Sequence, residues 1–346
     1  MDDTVTVTVP GRVNVIGEHT DYNGGMVLPA ALSVSLQLSL TPRGDNAVIL
    51  RSTAYDETVT RSLDEAARGD WSDAALGAMR EAIAMDMLAG GAEVSVNSAI
   101  PAGAGLSSSA ALIVAVLKAA RAASGIGFSD TEIALAARRV ENEYLGVPCG
   151  IMDQMAVAAA SIGTAMALDT KTLKYRLLHL PKDHELTVLH SGITRQLSEG
   201  RYAVRAGECD TAKAYFESDD LCLLGPDAIR DSELAEPARS RALHCATEHA
   251  RVLAAADALE AGDMQSLGAL MNDSHASMRD LFDISLPAID ALVADAAALG
   301  AVGARLTGGG FGGCIVALVK STAREAWLKQ LLAKHPKARF IDAAGG

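Results

Sequence analysis

The periodicity of the chain changes at Pro101, and that change constrains the architecture more than any other feature. Before it, residues 4–9, 33–40 (within a longer stretch, 26–40), 48–52, 57–63 and 92–97 alternate or carry β-formers in the manner of half-buried strands. Pro10-Gly11 is expected to end the first strand and Pro42-Arg43-Gly44 the second. Beyond Pro101, residues 106–123 adopt the helical period. A second helix is expected over 130–144 behind a cap at Ser129 or Asp130, and a third over 153–161. A hairpin follows at 164–168 and 173–180. Strands come first and helices later, without the alternation of a doubly wound sheet, so the expected class is α+β.

A fresh strand at 186–190 begins behind Pro181-Lys182-Asp183, which predicts a boundary there, with domains 1–182 and 183–346. Helices are expected at about 200–217, 236–261, 263–281, 285–299 and 321–334, with a strand pair at 303–307 and 314–319. The 30 Lys and Arg against 43 Asp and Glu leave a formal charge of −13, which argues against nucleic acid and anionic membranes as partners. The longest charge-free stretch, 94–117, is interrupted by Asn97, Pro101, Gly103, Gly105 and three serines, so it is not a spanning helix. The acidic start Met1-Asp2-Asp3 is unlike a secretory signal. Cysteines at 149, 209, 222, 245 and 314 are odd in number and widely spaced, with no metal or disulfide pattern, which suits a reducing cytoplasm.

Three segments carry chemistry. Pro101-Ala102-Gly103-Ala104-Gly105-Leu106-Ser107-Ser108-Ser109-Ala110 is a glycine loop entering a helix: either a phosphate cradle of free N–H groups and hydroxyls, or a turn with a serine cap. Gly308-Gly309-Gly310-Phe311-Gly312-Gly313 precedes a strand instead of opening a helix, so it is no dinucleotide fingerprint; it suits close backbone approach or a structural turn. Gly11 to Asn23 packs Arg12, Asn14, Glu18, His19, Asp21 and Asn23 between apolar strands, which fits a sugar-hydroxyl array or a solvated loop. Asp153, a lone carboxylate at a helix start, is either a cap or a reactive group. No Gly-Lys dipeptide exists, so a Walker loop is excluded.

Together, Pro10-Gly11-Arg12-Val13-Asn14-Val15-Ile16-Gly17-Glu18-His19-Thr20-Asp21-Tyr22-Asn23, the Gly105-to-Ala111 serine motif, Cys149-Gly150-Ile151-Met152-Asp153-Gln154 and Thr307-to-Cys314 resemble the galactokinase branch of the GHMP small-molecule kinases. The resemblance implies a two-domain α+β fold. Its N-terminal half is like domain 2 of ribosomal protein S5, its C-terminal half is a ferredoxin-like layer, and the active site lies in the cleft between. It implies transfer of the γ-phosphoryl of ATP, with Mg2+, to the anomeric hydroxyl of D-galactose, the first committed step of galactose catabolism. Carried over, Glu18, His19, Asp21, Gly150, Asp153 and Tyr202 hold the sugar, and Pro101, Gly103, Gly105, Leu106, Ser107, Ser108, Ser109 and Ala110 hold the nucleotide. Ser109 and Glu141 form the metal pair, Asp153 and Arg12 the catalytic pair, and Gly308, Gly309, Gly310 and Gly312 the glycine hairpin. A cytoplasmic monomer or weak homodimer is expected. A kinase for N-acetylgalactosamine or L-arabinose, or a catalytically dead galactokinase-like sensor, are the alternatives. Two departures from the branch stand out: Ser33, where many relatives carry Asp, and Asp70-Trp71-Ser72-Asp73 in place of Trp-x-Asn-Tyr.

Overall fold

A computed structural model describes residues 4–54, 57–194 and 198–346 of the protein, so the acidic Met1-Asp2-Asp3 start lies outside the described residues. The chain opens with β1 (Val5–Asn14), β2 (Met26–Val27), β3 (Pro29–Pro42), β4 (Ala47–Ser52) and β5 (Glu57–Ser62). Then come α1 (Ser72–Ala84), β6 (Ala92–Ser98), α2 (Ser108–Ser124), α3 (Asp130–Arg139), a π-helical turn (Val140–Tyr144) and α4 (Met152–Ala159). β7 (Thr164–Asp169), β8 (Tyr175–His179), β9 (His184–His190), α5 (Ser198–Phe216), α6 (Pro226–Arg230), α7 (Ala238–Ala261) and α8 (Met264–Asp280) follow. The chain ends with α9 (Pro287–Ala298), β10 (Gly303–Thr307), β11 (Cys314–Lys320), α10 (Arg324–Lys334) and β12 (Arg339–Ala344).

These elements form two compact units that are interleaved in sequence. One comprises Met1–Arg12, Val34–Ala102 and Leu106–Ala159, the other Val13–Ser33, Gly103–Gly105 and Ala160–Gly346.

In the first unit β3, β6, β4 and β5 hydrogen-bond in that order, β4 and β6 in parallel and the other two pairs antiparallel. Leu36, Leu38 and Leu40 of β3, Val48 and Leu50 of β4, and Val94 and Val96 of β6 bury one face of this sheet. Each such side chain contributes roughly 1.5–3 kcal/mol of burial. α2, buried along most of its length, packs against α1, α3 and α4.

Local reading of the sequence needs correction at several places. β1 does not stop at Pro10-Gly11 but runs to Asn14. A Cβ on residue 11 would lie 3.3 Å from Val34 O and 3.5 Å from Leu106 O, so the glycine serves close approach and not chain reversal. The helix expected over 130–144 is α-helical only to Arg139, capped by a Ser129–Glu132 capping box, and then widens into the π turn. α1 and β12 were not anticipated. α1 carries Gly77 in its interior, where a Cβ would meet the Tyr144 ring at 2.4 Å and Val140 at 2.8 Å. That packing, invisible in the sequence, hides an otherwise helical pattern.

In the second unit β10, β11, β9 and β12 form an antiparallel sheet. β7 pairs with β2 and with β8, the anticipated hairpin. Leu189, Ile315, Ala317 and Val319 of the sheet share a core with Met278, Phe282, Trp327 and Leu331. The Trp327 indole N–H donates to Ala296 O at 2.9 Å, which satisfies its one polar atom inside that core. Among the described residues no helix is long and apolar enough to cross a membrane, and all five cysteines are free thiols.

Candidate active site

In the first unit, Arg12 near the end of β1 meets Asp153 in the first turn of α4. Arg12 Nε donates to Asp153 Oδ1 at 2.8 Å and Nη2 to Oδ2 at 2.7 Å. This fork is the strong, directional form of the pair. The guanidinium side chain is 5% exposed and the carboxylate 32%, so the cation is enclosed while the carboxylate keeps an open side. Asp153 lies in the first turn of α4, where the helix end favours a negative charge. Gly150 is buried two residues before the helix.

Glu141 lies in the π turn, a local irregularity that often marks functional positions. Its buried carboxylate accepts from the Gln154 amide, from the Ser109 hydroxyl and, at 3.6 Å, from the Cys149 thiol. Burial pushes the Glu141 carboxyl above its ordinary range and the nearby Asp153 charge pushes it the same way, against those three donors. The structure therefore brings together Ser109, Glu141 and Asp153. They are hard oxygen donors of a kind that suits Mg2+, which keeps several waters and takes few protein ligands. Among the described residues no cluster of three or more His, Cys, Asp or Glu side chains is arranged to hold a metal by itself.

The loop before α2 ends on Ser107, a non-glycine residue at φ +63°. It occupies the cap position, yet its side chain makes no cap hydrogen bond, and its buried Oγ has no partner among the described residues. A serine that served only as a cap would use that oxygen on the helix amides. The left-handed backbone and the uncommitted hydroxyl are the features of a loop arranged around something else.

In the second unit, Glu18 is buried by donors. Thr307 Oγ1 (3.2 Å) and the Gly308 N–H (2.9 Å) reach Oε1, and Arg305 Nη2 reaches Oε2. His19, held at φ +64°, stacks on Phe282 with centroids 4.4 Å apart and lies 5.3 Å from the Tyr202 ring. Its Nδ1 is 2.8 Å from the Tyr22 hydroxyl. Asp21 is half-buried in the same turn. Tyr202 on α5 packs on the glycine hairpin, where a Cβ at Gly309 would lie 3.3 Å from its ring. At Gly310, φ is +86° and a Cβ would lie 2.5 Å from Ile284 Cβ and 2.7 Å from Ile284 O, so this glycine is required by its own unit's packing. Cys314, just past the hairpin, donates to Ala104 O of the other glycine loop at 3.2 Å.

Reading the sequence alone missed the residues that support this turn. Glu248 and His244 on α7, Ser274 on α8 and Arg305 on β10 are all buried. Glu248 accepts from the Gly17 N–H (3.0 Å), Ser274 Oγ (2.5 Å) and Arg251 Nε (2.7 Å). Burial pushes its carboxyl up, but Arg251, His244 and Arg305 hold it down at about 2. Burial pushes His244 down to about 4, so it is neutral at pH 7. A carbonyl can only accept, so His244 Nε2 carries the proton and donates to Glu18 O at 3.2 Å, while Nδ1 accepts from Ser277 Oγ at 2.8 Å. The available signal was a charged residue in the middle of the β10 strand pattern and charged residues on the inward face of α7.

Known proteins with similar sequence and structure agree on the lineage. Residues 2–41 match the galactokinase galactose-binding signature, 72–161 the GHMP kinases N-terminal domain and 255–335 the GHMP kinases C-terminal domain. A galactokinase from Roseiflexus sp. (strain RS-1) is 40% identical over 99% of this chain and 88% of its own length. The chain belongs to the galactokinase family of GHMP kinases. A Lactococcus lactis galactokinase solved with galactose superimposes with a TM-score of 0.94 at 29% identity, over 99% of this chain and 94% of that one. The Methanococcus jannaschii mevalonate kinase shares the fold, with a TM-score of 0.74 at 20% identity over 99% of this chain and 98% of that one. As a galactokinase-family enzyme with an α+β two-domain GHMP fold, the protein is a kinase whose phosphoryl donor is ATP.

Both departures from the family pattern have a local structural account. Ser33 donates through N–H (2.7 Å) and Oγ (2.6 Å) to Asp342 of β12, so a carboxylate from another strand faces this position. Asp73 accepts from the N–H groups of Arg68 and Gly69 and from Arg61 Nη1 at 3.0 Å, and so closes the loop before α1.

Proposed function

We propose that the protein transfers the γ-phosphoryl group of ATP to the anomeric hydroxyl of D-galactose, giving galactose 1-phosphate and ADP. The observation that carries this reading is the forked Arg12–Asp153 pair, with its carboxylate partly open beside Glu141 and Ser109. Glu18, His19, Asp21, Gly150, Asp153 and Tyr202 hold the sugar. Pro101 to Ala110 wrap the nucleotide phosphates, and the uncommitted Ser107 hydroxyl supports that assignment.

Arg12 engages both Asp153 oxygens along one edge, and each oxygen keeps a second lone pair for a substrate hydroxyl. Asp153 orients that hydroxyl toward the γ-phosphorus. As the new O–P bond forms and the bond to ADP breaks, the hydroxyl proton passes to an Asp153 oxygen. In a loose transition state the proton leaves late, so orientation by Arg12 matters more than the basicity of Asp153. Ser109 and Glu141 would hold Mg2+. When bound, the metal neutralises charge building on the bridging and transferred phosphate oxygens. The acidic burden at Glu141 is what such a cation relieves.

The domain division at 182/183, a cytoplasmic location and a monomeric or weakly dimeric state belong to the same proposal; the five free thiols are consistent with a reducing compartment. The test is a coupled ADP assay across D-galactose, N-acetylgalactosamine and L-arabinose with wild type and Asp153→Asn. Galactose is expected to be used most efficiently, and Asp153→Asn to lose at least about a thousandfold in kcat while galactose binding by calorimetry survives. Near-normal turnover by Asp153→Asn would remove its proposed role. Higher efficiency with another sugar would change the substrate and keep the mechanism, and binding without turnover by the wild type would indicate a sensor.

A further inference from the structure

Arg305 is fully enclosed, and its side chain reaches the sugar-signature turn from β10. Its Nη1 donates to Val15 O at 3.1 Å and Asn14 O at 3.4 Å, and its Nη2 donates to Glu18 Oε2. Thr307, on the same face two residues along, shares its one hydroxyl proton between Asn14 O at 3.0 Å and Glu18 Oε1 at 3.2 Å. The end of β10 thus grips both the backbone entering the turn and the carboxylate leaving it.

The chemistry at Glu18 is one-sided. Arg305 and the Gly308 N–H can only donate, one to each carboxylate oxygen, so an ionised carboxylate satisfies both and a protonated one sets a donor against a proton. Burial favours the protonated form and the nearby Glu248 charge acts the same way, while Arg305 opposes both. Glu248 does not draw Arg305 away. It already has donors from Gly17, Ser274 and Arg251, and its approach to Arg305 is 3.8 Å.

We propose that Arg305 is a positioning residue for sugar recognition, fixing the direction of the Glu18 carboxylate and the path of residues 14 and 15 without touching substrate. The proposal rests on the reading that Glu18 binds the sugar. It assigns a specificity role to a residue outside the signature segment, contributed by the strand that leads into the glycine hairpin.

Kinetics of Arg305→Met, Arg305→Lys, Glu18→Gln and the double variant Arg305→Met with Glu18→Gln test it, with KM for galactose and for MgATP measured separately. Arg305→Met should raise the galactose KM about tenfold or more and leave the MgATP KM within about twofold. Arg305→Lys should recover part of the loss, because a point charge replaces a fork. The double variant should exceed Glu18→Gln alone by clearly less than the rise Arg305→Met causes by itself, the remainder being the lost grip on residues 14 and 15. An unchanged galactose KM in Arg305→Met, equal rises in both KM values, or full additivity with Glu18→Gln would overturn the proposal. Should Arg305→Met fail to fold, because it strands a buried carboxylate, the decision passes to Arg305→Lys. A selective rise in its galactose KM supports the role, and no rise removes it. If Glu18→Gln alone leaves the galactose KM unchanged, the sugar-binding reading of Glu18 fails first and the proposal falls with it.

Discussion

Glu141 is under opposing pressures. Burial and the neighbouring Asp153 push its carboxyl up, while the Gln154 amide, the Ser109 hydroxyl and the Cys149 thiol pull it down. A divalent cation would relieve both of the upward pressures, which is why this residue, more than the open Asp153, should govern metal demand. Glu141→Gln keeps the shape and removes the charge. It is expected to raise the Mg2+ concentration needed for half-maximal turnover about tenfold or more, and to weaken binding of Mg2+ with a fluorescent ATP analogue in parallel. An unchanged Mg2+ requirement would take Glu141 out of the metal pair. The same residue-scale logic separates Arg12 from a surface arginine. With its guanidinium 5% exposed, the fork is held by the surrounding packing as well as by Asp153.

Among the elements, α1 and the π turn depend on each other. Gly77 sits inside α1, where alanine is ordinarily better by about 1 kcal/mol. Here a Cβ would lie 2.4 Å from the Tyr144 ring and 2.8 Å from Val140, both in the π turn. The clash outweighs the propensity gain, so Gly77→Ala should destabilise the protein by roughly 1–3 kcal/mol in urea unfolding, the reverse of the usual sign. Stabilisation would mean that the ring moves aside freely. Because Glu141 lies in the same turn, that variant should also raise the Mg2+ concentration needed for half-maximal turnover. The glycine hairpin makes a parallel point. Its strands close in register at Thr307 and Cys314, and Gly310 is demanded by Ile284, so packing within the unit already explains part of its glycine content.

At the scale of the whole molecule, buried ionisable groups set the acid limit of stability. Burial pushes His244 down to about 4, and burial likewise pushes His275 down to about 4. Between their ordinary value of 6.5 and about 4 the unfolded chain binds more protons than the folded one. The stability these groups contribute is therefore complete above pH 6.5 and falls as pH drops through that window, by up to about 3 kcal/mol for His244. Glu248, at about 2 against an ordinary 4.5, extends the loss below pH 4.5. The midpoint of thermal unfolding should fall from pH 6.5 to 4.5, and His244→Gln should flatten that slope in part. An unaltered slope would mean that His244 is not buried neutral.

The sequence by itself determined what depends on near neighbours along the chain. Strand and helix periods, a helix cap at Ser129 or Asp130 and the four motif segments were legible, and with them the fold class. It could not show that Pro10-Gly11 lies inside a strand, that the helix before Tyr144 opens into a π turn, or that Asp342 supplies a carboxylate to Ser33. Nor could it show Arg305 on Glu18, a contact across 287 positions. The physical reason is the same in each case. Periodicity and turn preference are paid out locally in backbone geometry, whereas a buried charge or a missing Cβ is tolerated only for the sake of a partner that the chain brings near by folding, and only the tertiary structure decides which partner that is.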